Sequence, residues 1–289
     1  MKILIYYFSG TGNTKMVVEK FAKELQFNGA EVELCRIEDG NFEHHSTHFD
    51  ALGIGYPIHG FNAPANVVKF AKILPKLEDE KKLFIIKTSG EPLKINNISS
   101  YKIIGILKHK NYHLTNEYHY VMPYNMIFRH SDAMAYKMWS TASKLIPIDA
   151  KEVVNNIPAR LNRVFMGHTF AWIMRVEHWG GRLIGRGYKV TDKCIKCQKC
   201  VRECPTHNIT FENGKLKFGK NCLICTRCSF HCPANAIKIG ILEGWKVNGV
   251  YNFNNPNDDY QKSHRNYCKK AYKKYFEKCE AKIINQKTE

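Results

Sequence analysis

Eight cysteines in the C-terminal half stand in two runs of one form. CIKCQKCVRECP places Cys194, Cys197 and Cys200 at three-residue intervals, then Cys204 and Pro205. CLICTRCSFHCP repeats the arrangement with Cys222, Cys225, Cys228, Cys232 and Pro233. Thiolates are soft ligands for zinc and for iron–sulfur clusters. Structural zinc usually takes two C-x2-C pairs per ion, whereas the doubled C-x2-C-x2-C-x3-C-P spacing is that of iron–sulfur ligation. The chain has 11 cysteines and does not open on a signal peptide, which argues for metal rather than a disulfide framework. Cys35, Cys268 and Cys279 lie outside the runs, and no redox role is expected of them.

A second constellation lies near the start. Ser9, Gly10, Thr11, Gly12, Asn13 and Thr14 follow an apolar run and precede a helical pattern. The loop fails the P-loop template, because Asn13 stands where a lysine is required after Gly12. It fails G-x-G-x-x-G, because position 15 is Lys. What remains is hydroxyls, an amide and turn-permitting glycines at a helix N-terminus. Such a loop is expected to hold a phosphate dianion with inward-turned backbone N–H groups, the side-chain donors of Ser9, Thr11, Asn13 and Thr14 and the helix dipole, without a cation.

The elements that must position these groups alternate in type. Strands are expected at 2–9, 31–37, 50–58, 81–89 and 118–123. Helices are expected after the first loop, at 64–74 and at 98–110, the second opened by Pro64. The fold class is therefore α/β, a doubly wound parallel five-stranded sheet over residues 1–145. Residues 146–187 read as a helical connector broken by Pro147 and Pro158, with a glycine-rich linker at 181–190. Residues 188–240 form a small α+β domain around the cysteines, with a hairpin turning at Asn213-Gly214. Residues 241–289 are a basic extension, in which Tyr267, Tyr272, Tyr275 and Phe276 could line one face of a helix.

Ser9, Thr11, Gly12 and Thr14 match the phosphate loop of flavodoxins, Ser/Thr-x-Thr-Gly-x-Thr, and the first 145 residues resemble that family. The resemblance implies FMN, with its ring between the loops after strands three and four. Those loops supply Tyr56, Pro57, Ile58, His59, Gly60 and Phe61, then Thr88, Ser89 and Gly90. Gly60 is expected to turn its backbone toward the flavin N5, and His59 or Phe61 to cover a ring face. The cysteine runs resemble bacterial two-cluster ferredoxins. In that family three cysteines of a run bind one cube and the fourth crosses to the other. The resemblance thus implies two 4Fe-4S clusters. One is held by Cys194, Cys197, Cys200 and Cys232, the other by Cys222, Cys225, Cys228 and Cys204.

The whole chain resembles flavodoxin–ferredoxin fusion proteins of anaerobes. That implies an iron–sulfur flavoprotein relaying electrons between a low-potential one-electron carrier and FMN through the two clusters. No catalytic side chain is required for this. The alternatives are an FMN-dependent reductase of a small substrate, with His59, Tyr124 and His130 as acid groups, and a redox sensor. The formal charge is +18, of which +14 falls in residues 146–289. Clusters at roughly −2 each and the FMN phosphate at about −2 would leave about +12. A basic face favours an acidic redox partner such as ferredoxin or flavodoxin. No nucleic-acid motif is visible, and contact of 165–174 with a membrane surface is the weaker alternative. A cytoplasmic protein is expected.

Overall fold

The architecture was described from a computed structural model, which covers residues 1–40, 49–174, 176–254 and 268–288. Tyr267 lies outside the described residues. The N-terminal elements are β1 (Lys2–Tyr7), α1 (Asn13–Phe27), β2 (Glu31–Arg36), β3 (Ala51–Pro57), α2 (Ala65–Ile73), β4 (Lys81–Ser89), α3 (Tyr101–Lys108), β5 (Tyr112–Val121) and α4 (Asp132–Val154). The five strands are parallel in the order β2-β1-β3-β4-β5. β1 is apolar throughout because both its faces are covered. Ile3, Ile5 and Tyr7 pack with Val17, Phe21 and Leu25 of α1. Leu4 and Tyr6 turn the other way, toward Val67, Phe70 and Ala71 of α2 and Leu107 of α3. The strand order reverses between β1 and β3, and the crevice beyond their carboxyl ends is where such a sheet binds ligands.

α4 departs from the sequence reading. It runs unbroken through Pro147 and across the expected boundary at 145. Leu145, Ile146, Ala150 and Val153 pack into the same core as α1. Burial of that face outweighs the backbone hydrogen bond that proline cannot donate. The expected linker at 181–190 is also different. α5 (Gly167–Met174) and α6 (Val176–Arg186) follow α4, and α6 takes up most of the glycine-rich stretch. Gly181 and Gly185 lie against Cys222: a Cβ at Gly181 would stand 2.8 Å from the Cys222 carbonyl oxygen, and one at Gly185 would overlap the Cys222 side chain. Close packing, not flexibility, requires these glycines.

The cysteine domain comprises β6 (Lys189–Val190), α7 (Lys199–Arg202), β7 (Ile209–Glu212), β8 (Lys215–Phe218), α8 (Arg227–Phe230) and β9 (Ile237–Lys238). β6 pairs antiparallel with β9, and β7 with β8 across the Asn213-Gly214 turn. Both turn residues have positive φ, as a two-residue hairpin loop demands. The two halves repeat each other in backbone. Lys196, Gln198 and His207 take left-handed φ, and so do Ile224, Thr226 and Asn235 at the same places in the second run. Among the described residues, no helix is long and apolar enough to cross a membrane.

The last helix, α9 (Lys269–Thr288), folds back onto the N-terminal domain. Cys268, Tyr272 and Phe276 pack with Met134 and Met138 of α4 and Val121 of β5, while Lys269, Lys270, Lys273, Lys274 and Lys278 stay exposed. This is helical periodicity, one face greasy and one face wet. Lys282 adds ion pairs to Asp149 at 2.7 Å and Glu152 at 2.6 Å. Burial pushes the Asp149 carboxyl from its ordinary 3.8 up to about 6, against the pull of Lys282. A carboxyl raised on folding adds stability that is full below pH 3.8 and lost as pH rises through about 6. Asp149→Asn removes this titration. Relative to the parent protein, the variant is expected to gain roughly 2 kcal/mol as pH rises from about 4 to about 6. Denaturant melts at both pH values test this, and a difference independent of pH would refute it.

Candidate functional site

A crevice of about 250 Å³ opens at the carboxyl ends of β1, β3 and β4. Ser9, Gly10, Thr11, Asn13 and Thr14 form its floor. Pro57, Ile58, His59, Gly60 and Phe61 form one wall, and Thr88, Ser89, Gly90 and Glu91 another. Residues 122–127 close the third side, with Ile224 from the cysteine domain. Most of the residues assigned to the site by sequence thus meet in one place. Tyr56 does not: strand alternation turns it into the core on the α2 face, where it is fully buried. Gly12 does not line the crevice either. It caps α1 at φ +112°, a conformation that suits glycine.

The loop uses its side chains differently from the expectation. Ser9 Oγ accepts from the N–H groups of Gly12 and Lys15, both at 3.2 Å. Thr14 Oγ1 pairs with Thr88 Oγ1 at 2.8 Å, tying the first turn of α1 to β4. Asn13 Nδ2 donates to the Pro123 carbonyl at 2.7 Å, and Asn125 Nδ2 to Thr11 Oγ1 at 3.1 Å. These side chains build the loop. Among the described residues, nothing accepts from the N–H groups of Gly10, Thr11, Asn13 or Thr14. Four backbone donors at a helix N-terminus facing a crevice fit a phosphate.

The walls are held under strain. His59 and Asn62 exchange backbone hydrogen bonds at 2.9 and 2.7 Å around Gly60 and Phe61, both at positive φ. Phe61 meets the Phe170 ring of α5, centroids 6.0 Å apart. Ile127 also has positive φ, which is costly for a β-branched residue, and its N–H donates to the Trp245 carbonyl at 2.7 Å. The Tyr124 hydroxyl donates to Glu91 Oε2, and its ring stacks on His130 at 5.2 Å. Burial raises the Glu91 carboxyl above its ordinary value. His130 is 2% exposed, accepts from the Tyr124 N–H at Nδ1, and burial pushes it down to about 4. It is a neutral structural histidine behind the wall, not an acid group in the crevice.

The cysteines ring two cavities. One is lined by Cys194, Cys197, Cys200, Cys228 and Cys232, the other by Cys204, Cys222, Cys225 and Cys228. Cys232 of the second run thus sits with the first, and Cys204 of the first with the second. Equivalent N–H groups, of Asn208 and Ala236, donate to Cys204 Sγ and Cys232 Sγ, each at 3.3 Å. Among the described residues, no three His, Cys, Asp or Glu side chains converge to hold a single metal ion. Thiols spread around a void fit a four-iron cube better than one zinc ion. Tyr188, Ile237 and Ile239 pack about Cys200, Cys222, Cys228 and Cys232 as an apolar shell.

The cavities and the crevice adjoin. Cys225 is buried against the flavodoxin-like core, and Gly10 lies so near that a Cβ there would stand 2.9 Å from the Cys225 carbonyl oxygen. Ile224 and Arg227 are contributions that sequence reading missed, because both stand at intervening, non-ligand positions of the second cysteine run. Gly185 is a third. Gly185→Ala is expected to displace Cys222 and lower bound iron to about half, while the N-terminal domain still melts normally. Iron assay with far-UV circular dichroism tests it, and full iron content would overturn it.

Residues 4–103 match the family model described as flavodoxin domain, and residues 188–210 match that of the 4Fe-4S binding domain. Among solved structures, the chain is similar to oxidised flavodoxin 1 from Bacillus cereus, at 13% identity over 54% of this chain and 98% of that one, TM-score 0.42. It is similar to a flavodoxin from the domain Archaea, at 13% identity over 53% and 99%, TM-score 0.35. Two-electron reduced Megasphaera elsdenii flavodoxin matches at 22% identity over 52% and 98%, TM-score 0.37. No curated protein matches the chain. The chain is therefore a fusion of an N-terminal flavodoxin domain with a 4Fe-4S binding domain, an architecture that implies FMN and an iron–sulfur cluster in electron transfer.

Proposed function

We propose that the protein relays electrons between a low-potential one-electron carrier and FMN through two 4Fe-4S clusters. The carrying observation is the five-residue stretch from Ile224 to Cys228. Ile224 lines the crevice, Cys225 the inner cysteine cavity, and Arg227 and Cys228 line both cysteine cavities. Three sites thus stand in a row: crevice, inner cavity, outer cavity. FMN, when bound, exchanges one or two electrons and each cube one. The chain's own residues hold the three sites adjacent. The repeated backbone of the two runs supports a second cluster beyond the one run that the family model covers.

The outer set would meet the carrier. Cys197 is exposed, with Lys193, Lys196 and Arg202 exposed nearby. A basic edge there suits an acidic partner such as ferredoxin or flavodoxin. Lys193→Glu with Lys196→Glu is expected to slow reduction by ferredoxin about tenfold or more at low salt, with the gap closing at high salt. Stopped-flow mixing measures this, and a salt-independent rate would place docking elsewhere. Of the acid groups a small-substrate reductase would call on, His59 and Tyr124 line the crevice, while His130 is buried behind its wall.

An anaerobic redox titration of the reconstituted protein, followed by EPR and visible absorption with reduced ferredoxin as donor, tests the relay. Flavin and both clusters should respond, the flavin filling by way of the clusters. Failure to bind FMN, or titration without exchange, would end this reading.

A further inference from the structure

One side chain ties the phosphate loop to the inner cysteine set. Arg227, between Thr226 and Cys228, is 8% exposed. Its Nε donates to the Gly10 carbonyl at 3.0 Å, and Nη2 to the Ser9 carbonyl at 2.5 Å. Nη2 also meets Glu38 Oε1 at 2.6 Å. Nη1 donates to the carbonyl of Glu203, the residue before Cys204, at 2.8 Å. One guanidinium therefore holds two carbonyls of the loop and the backbone flanking two thiols of the inner set. A parallel strap runs from Thr226 Oγ1 to the Asn125 carbonyl at 3.4 Å, then from Asn125 Nδ2 to Thr11 Oγ1 at 3.1 Å.

A buried guanidinium is tolerated only while its partners are in place. If the inner thiols are not gathered, the 222–226 loop and the start of α8 lose their anchor and Arg227 moves with them. The Ser9 and Gly10 carbonyls then lose their donor. The peptide planes that aim the loop N–H groups into the crevice are no longer held. Only a planar, five-donor fork can bridge four acceptors on three segments at once; a lysine cannot.

We propose that Arg227 couples occupancy of the inner cysteine cavity to the affinity of the crevice for FMN, each cofactor tightening the other. The inference rests on the FMN and cluster assignments above. Linkage makes the effect reciprocal.

The test is FMN affinity, by flavin fluorescence quenching, on the full chain with clusters reconstituted and again after chelator has stripped them. Stripping is expected to weaken FMN binding about tenfold or more, and bound FMN to slow cluster loss to chelator. Arg227→Lys and Arg227→Gln, reconstituted, should bind FMN about as weakly as the stripped parent, with a loaded-to-stripped ratio near one. Glu38→Gln leaves the three carbonyl contacts intact and should keep most of the ratio. Equal affinities within about twofold for the two states of the parent protein would overturn the coupling. So would full coupling in Arg227→Gln. Should the Arg227 variants fail to fold, the parent comparison decides alone. FMN binding in neither state defeats the flavin assignment itself, whereas equal binding in both defeats only the coupling.

Discussion

Alanine at Cys204 should remove the cluster beside the flavin crevice, although Cys204 belongs to the first cysteine run. Alanine at Cys232 should remove the outer one, although it belongs to the second. The expectation follows from the cavities: Cys204 lines the one with Cys222, Cys225 and Cys228, and Cys232 the one with Cys194, Cys197 and Cys200. Each variant is expected to hold about four iron atoms per chain in place of about eight. Their electron transfer should differ in kind. On the proposed relay, loss of the inner cluster should leave ferredoxin able to reduce only the outer one, with the flavin staying oxidised. Without the outer cluster, reduction slows at the entry step. Iron analysis, EPR and stopped-flow absorption separate the two. If Cys204→Ala spares the inner signal and removes the outer, the ligation is not crossed.

Gly90→Ala is expected to be the most damaging single methyl group in the crevice. A Cβ at Gly90 would overlap the Tyr124 ring. Tyr124 cannot yield cheaply. Its hydroxyl is bonded to Glu91, its ring stacks on His130, and its carbonyl accepts from Tyr251 at 2.6 Å. Gly90 is also pinned, since its carbonyl accepts from the Tyr272 hydroxyl of α9. Overpacking of this kind costs about 1–3 kcal/mol, and loss of the Tyr124–Glu91 bond adds about 1 kcal/mol or more. The melting temperature should fall by several degrees and FMN binding should weaken with it, because both residues line the crevice. Tyr124→Ala creates the missing room, so Gly90→Ala should add little in that background. Additive losses in the double variant would show that the clash is not the cause.

Much of this was legible in the sequence because it is local. Short apolar runs predict the five buried parallel strands, and helical spacing of apolar residues predicts the helices that cover them. Tyr118 and Tyr120 were expected on the fifth strand, but it begins earlier, at Tyr112, as the edge partner of β4. The tail helix was legible as a stripe: Tyr272 and Phe276 are buried on it. Its docking site was not, since nothing in 268–288 encodes the position of Val121 or Met134. Pro147 misled because propensity argues from the chain alone, while burial of Leu145, Ile146 and Ala150 decides. The glycines of α6 misled for the same reason: Gly185 reports contact with Cys222, far along the chain.

By itself, the sequence determined the chemistry of the parts. Cysteine spacing specifies thiolate ligation, and a hydroxyl-rich glycine loop after an apolar strand specifies an anion site, since both are properties of a few consecutive residues. Only the tertiary structure decided how the parts face each other. It brought Arg227 onto the Ser9 and Gly10 carbonyls and Ile224 into the crevice wall. It also turned Ser9, Asn13 and Thr14 from donors to a ligand into braces of their own loop. The Arg227 contacts join residues more than 200 positions apart, and no local pattern records which distant donor a carbonyl will meet.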